Sequence, residues 1–335
     1  MNTEILPAHT PELFQNAVRR AAELLRAGQV VALPTETVYG LAANALDEKA
    51  VAEIFQIKGR TPSNPVIVHV AGLEMAKRCV TDFPALAGQL ARAFWPGPLT
   101  LVLPRAQAIP KIVTAGGETI GVRWPSHPLI QAVIRKCDFP LAAPSANLSN
   151  HVSPTNAQHV YKQLQGKLPA IVDGGQSTVG IESAVLDLTV SPPQILRPGM
   201  IHQESFVAAG LTGVAYGSPA ESGTLKSPGQ LKKHYSPRAK LFVLSWRDEA
   251  DLKSQLALRD VSPAACHVIA HARIPSAGPF ARVCVIPHDT EAFARAIYAE
   301  LHRCDEEGAQ TIIVEEPPNE AEWAGITDRL RRATA

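Results

Sequence analysis

The sequence has 335 residues, of which 46% are hydrophobic and 19% are charged, and its 32 basic and 31 acidic side chains give a formal net charge of +1. This length is more than twice the ~150 residues of a typical domain and therefore predicts two domains. The composition excludes a wholly disordered chain. The small net charge excludes a strong overall attraction to nucleic acid or to a membrane surface.

The cysteines and the first residues indicate the compartment in which the protein works. The number of cysteines, five, is odd, and no two of them have Cys-x-x-Cys spacing. We therefore predict neither a disulfide framework nor a resident metal site. Dispersed thiols suit a reducing cytoplasm. The N-terminus lacks the pattern of a signal peptide, and no stretch approaches the ~18 apolar residues of a membrane span. We therefore expect a cytoplasmic protein with no membrane segment.

Helix and strand patterns alternate through the first 208 residues. Thr10 and Pro11 are typical of a helix start, and Gly28 is typical of its end. Further helices are predicted over 47–57, 73–80, 85–94, 129–136 and 156–164. Strands are predicted over 29–33, 66–70, 99–103, 120–124, 141–143, 170–172, 183–188 and 194–196. This order predicts a first domain of mixed α/β type.

Residues 209–238 differ from the chain on either side of them. Within 217–238, Ser, Pro and Gly occupy 10 of the 22 positions, which is typical of a linker. The segment 209–238 carries 4 basic and 1 acidic side chains, so it is the most basic part of the sequence for its length. We therefore predict a basic linker between the two domains.

The pattern of strands and helices restarts after the linker. Strands are predicted over 240–245, 267–270, 283–286 and 311–315, and helices over 247–258, 290–307 and 320–332. Their alternation predicts a small open α/β sheet. Residues 239–335 carry 11 basic and 15 acidic side chains, a net charge of −4 that makes this domain a poor binder of nucleic acid.

Several polar and charged residues lie where predicted helices or strands end, which is where open α/β sheets bind ligands. The segment 33–41 (LPTETVYGL) packs three hydroxyl residues, one of them a Tyr, with a Glu after a strand. Four cations also lie at or near element ends, namely Lys58, Arg60, Arg123 and Arg197. Such cations can converge on one polyanion, and Arg suits bidentate contact with phosphate or carboxylate.

The same residues also have ordinary structural explanations. Lys58 and Arg60 can satisfy carbonyl groups at the end of the preceding helix. His69, which stands between two valines, can be a hydrogen-bonded core histidine. The segment 175–182 (GQSTVGIE) has the glycine spacing of a phosphate-binding loop but lacks its Lys, and is predicted to be a turn.

Taken together, these segments resemble the YrdC/Sua5 family, the threonylcarbamoyl-adenylate synthases. PTETVYGL, KGR, NPVIVH, WPGPLT, GVRWPSHP, APSANLS, DGG and ILRPG occur in the family's order. The family's KxR…SxN signature is formed here by Lys58, Arg60, Ser145 and Asn147. The resemblance covers essentially the whole chain. It implies an α/β protein with a YrdC-like twisted mixed-sheet catalytic domain at 1–208, a linker or lid over the active site at 209–238, and a smaller Rossmann-like domain at 239–335.

The resemblance also implies a reaction. L-threonine, bicarbonate or CO2, and ATP would yield L-threonylcarbamoyl-AMP and pyrophosphate. A downstream threonylcarbamoyl-transfer complex would use that product to modify an adenosine in tRNA. The family needs no covalent enzyme intermediate, so catalysis would rest on positioning and charge stabilisation. Mg²⁺ is expected to accompany the triphosphate.

The family's site residues can be carried over onto the matching positions of this chain. L-threonine would be bound by Thr35, His69, Arg123, the backbone of Ala143, and Ser183. ATP would be bound by Arg60, Asn64, Thr119, Ser145, Ser153, Arg197 and Tyr235. Lys58 and Asn147 would complete a catalytic set with Arg60 and Ser145. The chain departs from the family at Ala184, where Thr is usual beside the proposed threonine contact.

Two other functions compete with this prediction. YrdC-like domains can present a basic concave face to RNA, but residues 1–208 carry 17 basic and 15 acidic side chains. That small excess predicts weak or no direct tRNA binding. The second alternative is a carbamoyl-transfer domain like that of hydrogenase maturation proteins. Those proteins carry an acylphosphatase-like domain and zinc-finger cysteines, and this sequence shows neither.

Overall fold

The structure is a computed structural model that describes residues 2–211, 213–217, 225–228 and 234–334. The described residues up to 228, apart from 150–152, form one compact unit, and residues 150–152 and 234–334 form a second. The predicted linker at 209–238 is described only in part, because residues 212, 218–224 and 229–233 lie outside the described residues.

The first unit is built on a large sheet. Its described strands are β1 (Glu4–Pro7), β2 (Val31–Leu33), β3 (Gly40–Asn44), β4 (Val68–His69), β5 (Leu99–Pro104), β6 (Thr119–Arg123), β7 (Leu141–Ala142), β8 (Ala170–Asp173), β9 (Ala184–Asp187), β10 (Gln194–Arg197) and β11 (Ala215–Tyr216). They lie in the order β1-β8-β2-β3-β7-β4-β6-β5-β9-β10-β11, with parallel and antiparallel pairs mixed. The predicted mixed α/β fold is therefore confirmed.

Helices pack against this sheet and close its core. They are α1 (Pro11–Arg26), α2 (Glu48–Lys58), α3 (Leu73–Arg78), α4 (Ala85–Phe94), α5 (Pro128–Cys137), α6 (Ala157–Leu164) and α7 (Gln203–Ala208). The cap predicted for α1 is present, because the Thr10 Oγ1 atom accepts a hydrogen bond from the Leu13 N–H and Pro11 opens the helix. The buried faces of the helices and strands join in one apolar core.

Three strands of the large sheet are absent from the sequence prediction. The most central of them is β3, whose sequence GLAAN has low strand propensity. It is nonetheless paired on both sides, with β2 and with β7. Small side chains suit this position because it is buried on both faces. Tertiary pairing therefore overrides local propensity here.

The chain that follows residue 208 contributes to the first unit. Leu211 and Val214 are buried in its core, and β11 pairs in parallel with β10. The Lys226 Nζ atom lies 2.8 Å from the Asp187 Oδ2 atom, on a carboxylate that is almost fully buried. Part of the segment predicted to be a linker therefore packs as an edge of this sheet.

The second unit is a small, wholly parallel α/β sheet. Its described strands are β12 (Lys240–Leu244), β13 (Cys266–Ala270), β14 (Arg282–Val285) and β15 (Thr311–Glu315), in the order β12-β15-β13-β14. Its helices are α8 (Glu249–Ala257), α9 (Thr290–Glu306) and α10 (Ala324–Ala333). The predicted Rossmann-like type of domain is confirmed. Within the described ranges, no helix is both long and apolar enough to cross a membrane.

Candidate active site

Several of the predicted side chains lie on one face of the large sheet. β4 and β6 pair in parallel with His69 opposite Arg123. Residues directly opposite on paired strands share a face, and faces alternate along a strand. His69, Arg123 and Thr119 therefore share one face, with Gly121 between the last two. Thr119 begins β6 and Arg123 ends it, so about 13 Å of strand separates them.

The neighbouring strands bring further predicted residues to this face. Leu141 of β7 lies opposite His69, so Ala143, two residues later, projects to the same side. The Ala143 N–H donates to the Ile67 carbonyl at 3.0 Å, so this N–H is already used within the chain. On the other side, the Oγ atoms of Thr100 and Ser183 lie 2.8 Å apart, which fixes Ser183 beside the β5 strand.

Arg123 is buried and ion-paired within the chain. Its Nη2 atom lies 2.7 Å from the Glu36 Oε1 atom, its Nη1 donates to the Thr37 Oγ1 atom at 2.9 Å, and its Nε donates to the Gly97 carbonyl at 3.2 Å. Both partners of the ion pair are less than a tenth exposed. A buried ion pair loses several kcal/mol when one partner is removed, roughly 3–5, so Glu36 holds the guanidinium in place.

The polar segment after β2 is held by its own hydroxyl groups and by a second loop. The Thr35 Oγ1 atom donates to the Val38 carbonyl at 2.7 Å and accepts from the N–H groups of Thr37 and Val38. The Val179 N–H donates to the Glu36 carbonyl at 2.7 Å, and the Ser177 hydroxyl donates to the Thr35 carbonyl at 3.0 Å. The segment 175–182, predicted to be a turn, is thus a loop that fixes the position of Thr35.

His69 is neutral in this environment. Burial and the neighbouring Arg123 guanidinium lower the pKa of His69 to about 3. A neutral imidazole adds no positive charge beside Arg123. His69 is a buried residue of the core sheet and lies on the face that carries the candidate site, and its role toward threonine stays a prediction.

Lys58 joins the end of α2 to the loop that follows β7. Its Nζ atom donates to the Ser145 carbonyl at 2.5 Å and to the Asn147 carbonyl at 2.6 Å. These carbonyls belong to the distant loop rather than to the helix that Lys58 ends. Burial, and secondarily the Arg60 charge, lower the pKa of Lys58 well below its usual value, while Glu182 acts in the opposite direction.

Arg60 and Asn64 lie in the loop after α2. The Arg60 Nη2 atom donates to the Pro65 carbonyl at 2.7 Å, and its Nε atom donates to the Asn64 carbonyl at 3.3 Å. Both residues are buried. Gly59 permits this turn because it adopts a left-handed conformation, with φ of 59°. The three predicted residues of this segment are therefore brought together with Ser145 and Asn147 through Lys58.

Ser153 and Arg197 are each tied to the loop before β9. The Ser153 hydroxyl donates to the Glu182 Oε1 atom at 2.5 Å. The Arg197 Nε atom donates to the Ser183 carbonyl at 3.0 Å, its Nη2 atom to the Ser183 Oγ at 3.2 Å, and its Nη1 atom to the Pro228 carbonyl at 3.4 Å. Arg197, a predicted ATP contact, is thus hydrogen-bonded to Ser183, a predicted threonine contact.

Tyr235 belongs to the second unit. Its ring stacks on the Tyr298 ring at 5.9 Å, and the Arg329 guanidinium lies 5.5 Å from its centroid. The side chain is buried, and the backbone is left-handed with φ of 64°. The role of Tyr235 toward a nucleotide stays a prediction.

Two buried carboxylates of this region were not named as site residues from the sequence. Glu36 pairs with Arg123, and Glu182 accepts from Ser153 and influences Lys58. Glu36 could be recognised from the sequence as a candidate site residue, because it stands between two threonines after a strand. Glu182 could not, since it lies in the segment predicted to be a turn.

The chemistry available at these residues is anion binding. Three Arg and one Lys are buried at helix or strand ends, together with hydroxyl and amide groups. Within the described part of the chain, His, Cys, Asp and Glu side chains form no group of three that could hold a metal ion. A metal ion here would therefore take most of its ligands from a bound anion and from water.

Comparison with known proteins gives the family. The profile of the Sua5, YciO and YrdC proteins, whose description reads "Telomere recombination", matches residues 23–199, and the profile "Threonylcarbamoyl-AMP synthase, C-terminal domain" matches residues 197–335. A Pyrococcus abyssi threonylcarbamoyl-AMP synthase is 37% identical over 95% of this chain and 94% of its own. A Bacillus subtilis protein of the same name is 38% identical over 99% and 95%.

The fold agrees with that relationship over its full length. A crystal structure of P. abyssi Sua5 complexed with L-threonine superposes with a TM-score of 0.89 at 35% identity, and covers 100% of this chain and 98% of that one. Both profiles, the two relatives and this structure point to the same group of proteins. The chain therefore belongs to the Sua5–YciO–YrdC family, and within it to the long, two-domain Sua5-type threonylcarbamoyl-AMP synthases.

Proposed function

We propose that the chain synthesises L-threonylcarbamoyl-AMP from L-threonine, bicarbonate or CO2, and ATP, with release of pyrophosphate. The observation that carries this proposal is the match along nearly the whole chain to relatives that bear this name. The buried cations at strand and helix ends suit a reaction whose substrates and products are anions.

The reaction proceeds in two bond-forming steps. The neutral amine of threonine attacks the carbon of CO2, a C–N bond forms, and the nitrogen gives up a proton to yield a carbamate. A carbamate oxygen then attacks the α-phosphorus of ATP, and the bond to the leaving pyrophosphate breaks. No side chain need become covalently attached, so the chain's contribution is to orient the reactants and to stabilise charge.

The threonine would be bound at the Arg123 end of the sheet face. Arg123 would pair with the substrate carboxylate, which would then replace or share the Glu36 carboxylate. Neutral His69 would accept a hydrogen bond from the substrate without adding positive charge beside its amine. Thr35, Ser183 and the carbonyl of Ala143 would supply the remaining contacts.

The ATP would be bound by the loops that Lys58 joins. Charge is supplied there by Lys58, Arg60 and Arg197. Polar contacts would come from Asn64, Thr119, Ser145, Asn147 and Ser153. A triphosphate would favour the protonated form of Lys58, because it would oppose the burial and the Arg60 charge that lower the Lys58 pKa. Mg²⁺, which would be bound with the triphosphate, would supply positive charge that favours the departure of pyrophosphate.

The place of this activity in the cell is part of the same proposal. The product is a mixed anhydride of a carbamate and a phosphate, which water can hydrolyse. It would be consumed in the cytoplasm by a threonylcarbamoyl-transfer complex that acts on tRNA. The linker with Tyr235 would act as a lid that keeps water from this product.

A direct assay tests the proposed function. Pyrophosphate release from ATP is measured with both L-threonine and bicarbonate, and with each omitted in turn. We expect release only with the full set, together with a new adenylate of the mass of threonylcarbamoyl-AMP. Pyrophosphate release that does not depend on threonine would contradict the proposal.

A further inference from the structure

The edge strand β12 of the second unit has backbone groups that point away from its sheet. β12 pairs only with β15 among the described strands. The Lys240 N–H donates to the Gln310 carbonyl, and the Leu244 carbonyl accepts from the Glu316 N–H. In a parallel pair, alternate residues bond to the neighbouring strand. The backbone N–H and C=O groups of Lys240, Phe242 and Leu244 therefore point toward β15. Those of Leu241 and Val243 point away from the sheet.

A groove runs along this edge. It has a volume of about 510 Å³ and is lined by residues 236–244 together with Arg259, Ala333 and Thr334. Arg259 follows helix α8, and Ala333 ends helix α10. The groove is thus bounded along β12 by residues at the ends of helices α8 and α10. An extended peptide is the shape that fits between them and meets the outward backbone groups.

The groove is basic in a domain that is acidic. Lys240 Nζ lies 4.8 Å from the centroid of the Phe242 ring, and the Arg259 guanidinium lies 5.9 Å from it. Neither cation has a carboxylate within 4 Å among the residues that the structure describes, and both are exposed. Residues 239–335 as a whole carry a net charge of −4. The positive charge is therefore local to the groove.

We infer that this groove binds an extended acidic segment of a partner protein, which adds to β12 as a further strand. Backbone hydrogen bonds to Leu241 and Val243 would give affinity, and Lys240 and Arg259 would select for acidic side chains. A nucleic acid fits less well, because two cations in an acidic domain give a weak field and the backbone groups of a strand edge do not match phosphates.

The test uses the full chain and synthetic peptides. A fluorescent heptapeptide of alternating Glu and Val is titrated and followed by anisotropy. The comparison peptides are its Lys–Val counterpart and an N-methylated Glu–Val version that cannot donate backbone hydrogen bonds. We expect saturable binding of the first peptide and at least ~tenfold weaker binding of the other two.

Two protein variants locate the binding. The double variant Lys240→Glu with Arg259→Glu is expected to bind the acidic peptide at least ~tenfold more weakly than the unchanged protein. Its control, Lys253→Glu, reverses a half-exposed charge of α8 that is paired with Glu249 outside the groove, and is expected to bind normally. Adenylate synthesis should be unchanged in all three proteins, so this test can fail without touching the proposed function.

Three outcomes would overturn the inference. The acidic peptide could fail to bind, in which case β12 is an edge protected by its lysine. The Lys–Val or N-methylated peptide could bind equally well, which would exclude strand addition to a basic groove. A single-stranded RNA oligonucleotide could bind the groove more tightly than the acidic peptide and lose that binding in the double variant, which would make it a nucleic-acid site.

Discussion

Lys58, at the end of α2, and Arg60, in the loop that follows, are buried where water screens charge poorly, and a bound triphosphate would favour the protonated form of Lys58. Substitution of either by Ala should lower adenylate formation by ~100-fold or more, because preorganised charge contributes that much to phosphoryl chemistry. The measurement is the rate of pyrophosphate release at saturating substrates, with the thermal midpoint recorded for each variant. Exposed Lys167→Ala is the control, and near-normal turnover of both buried variants would contradict the assignment.

His69 gives a prediction about stability and pH. The pKa of His69 is about 3 in the folded state and near the ordinary value of 6.5 in the unfolded state. Between pH 3 and pH 6.5, His69 is therefore protonated in the unfolded state and neutral in the folded state. The free energy of unfolding should therefore fall as the pH drops from about 6.5 toward 3, by up to ~1.4 kcal/mol per pH unit from this residue.

Urea unfolding at several pH values measures this slope. His69→Gln should flatten the dependence by close to one proton, whereas His9→Gln, at an exposed position, should not. The other histidines remain in both variants and cancel in the comparison. Equal slopes in the two variants would show that His69 does not carry the effect.

At the scale of elements, strand ends place the candidate site. The segment that follows β10 passes the start of β9 at Gly199, where a Cβ atom would lie 2.4 Å from the Ala184 backbone N and 2.9 Å from its Cα. Backbone atoms cannot move aside as a flexible side chain can. This close approach joins the residues just before β9, which include Ser183, to the end of β10, which carries Arg197, so its geometry determines where their side chains point.

Gly199→Ala should therefore destabilise the protein by ~1–3 kcal/mol and lower the rate of adenylate formation. The measurements are the thermal midpoint and kcat/KM for ATP and for L-threonine. Gly72→Ala is the control, because a Cβ there has no atom within 4 Å and its φ of 166° is ordinary extended backbone. Unchanged kcat/KM in the Gly199 variant would mean that the segment after β10 can shift without disturbing the site.

The elements also show how far sequence reasoning reaches. The strands that carry His69, Arg123 and Arg197 were predictable, because apolar runs with a polar end are typical of strands that lead into a site. The pairing of Glu36 with Arg123 was not, since it joins residues 87 positions apart and depends on sheet register. Strand β3 was missed for a different reason, because neighbours on both sides stabilise a segment with little strand propensity of its own.

At the scale of the whole molecule, the length and the Pro- and Gly-rich segment predicted two domains and a linker. The structure has two compact units, each with its own apolar core. Composition alone could not reveal that Leu211 and Val214 pack into the first core, because isolated apolar residues in a loop-like segment give no periodic pattern. The boundary at residue 208 therefore falls before the last strand of the first unit.

A chain that ends at Pro228 tests whether the linker and the second unit close over the nucleotide. It keeps β11, the Lys226–Asp187 ion pair and the contact of Arg197 with Pro228. A chain that ends at Ala208 would lose these contacts, so the effect of a missing lid could not be separated from that of a damaged sheet.

We expect the chain that ends at Pro228 to fold, to bind ATP at least ~tenfold more weakly than the full chain, and to lose adenylate to hydrolysis, because an open site admits water. The measurement is the ratio of pyrophosphate released to intact adenylate, which should stay near one for the full chain and rise on truncation. The full chain with Tyr235→Ala separates the aromatic contact from the second unit as a whole, since only the contact is removed. Equal ATP affinity and equal yield in all three proteins would exclude a lid.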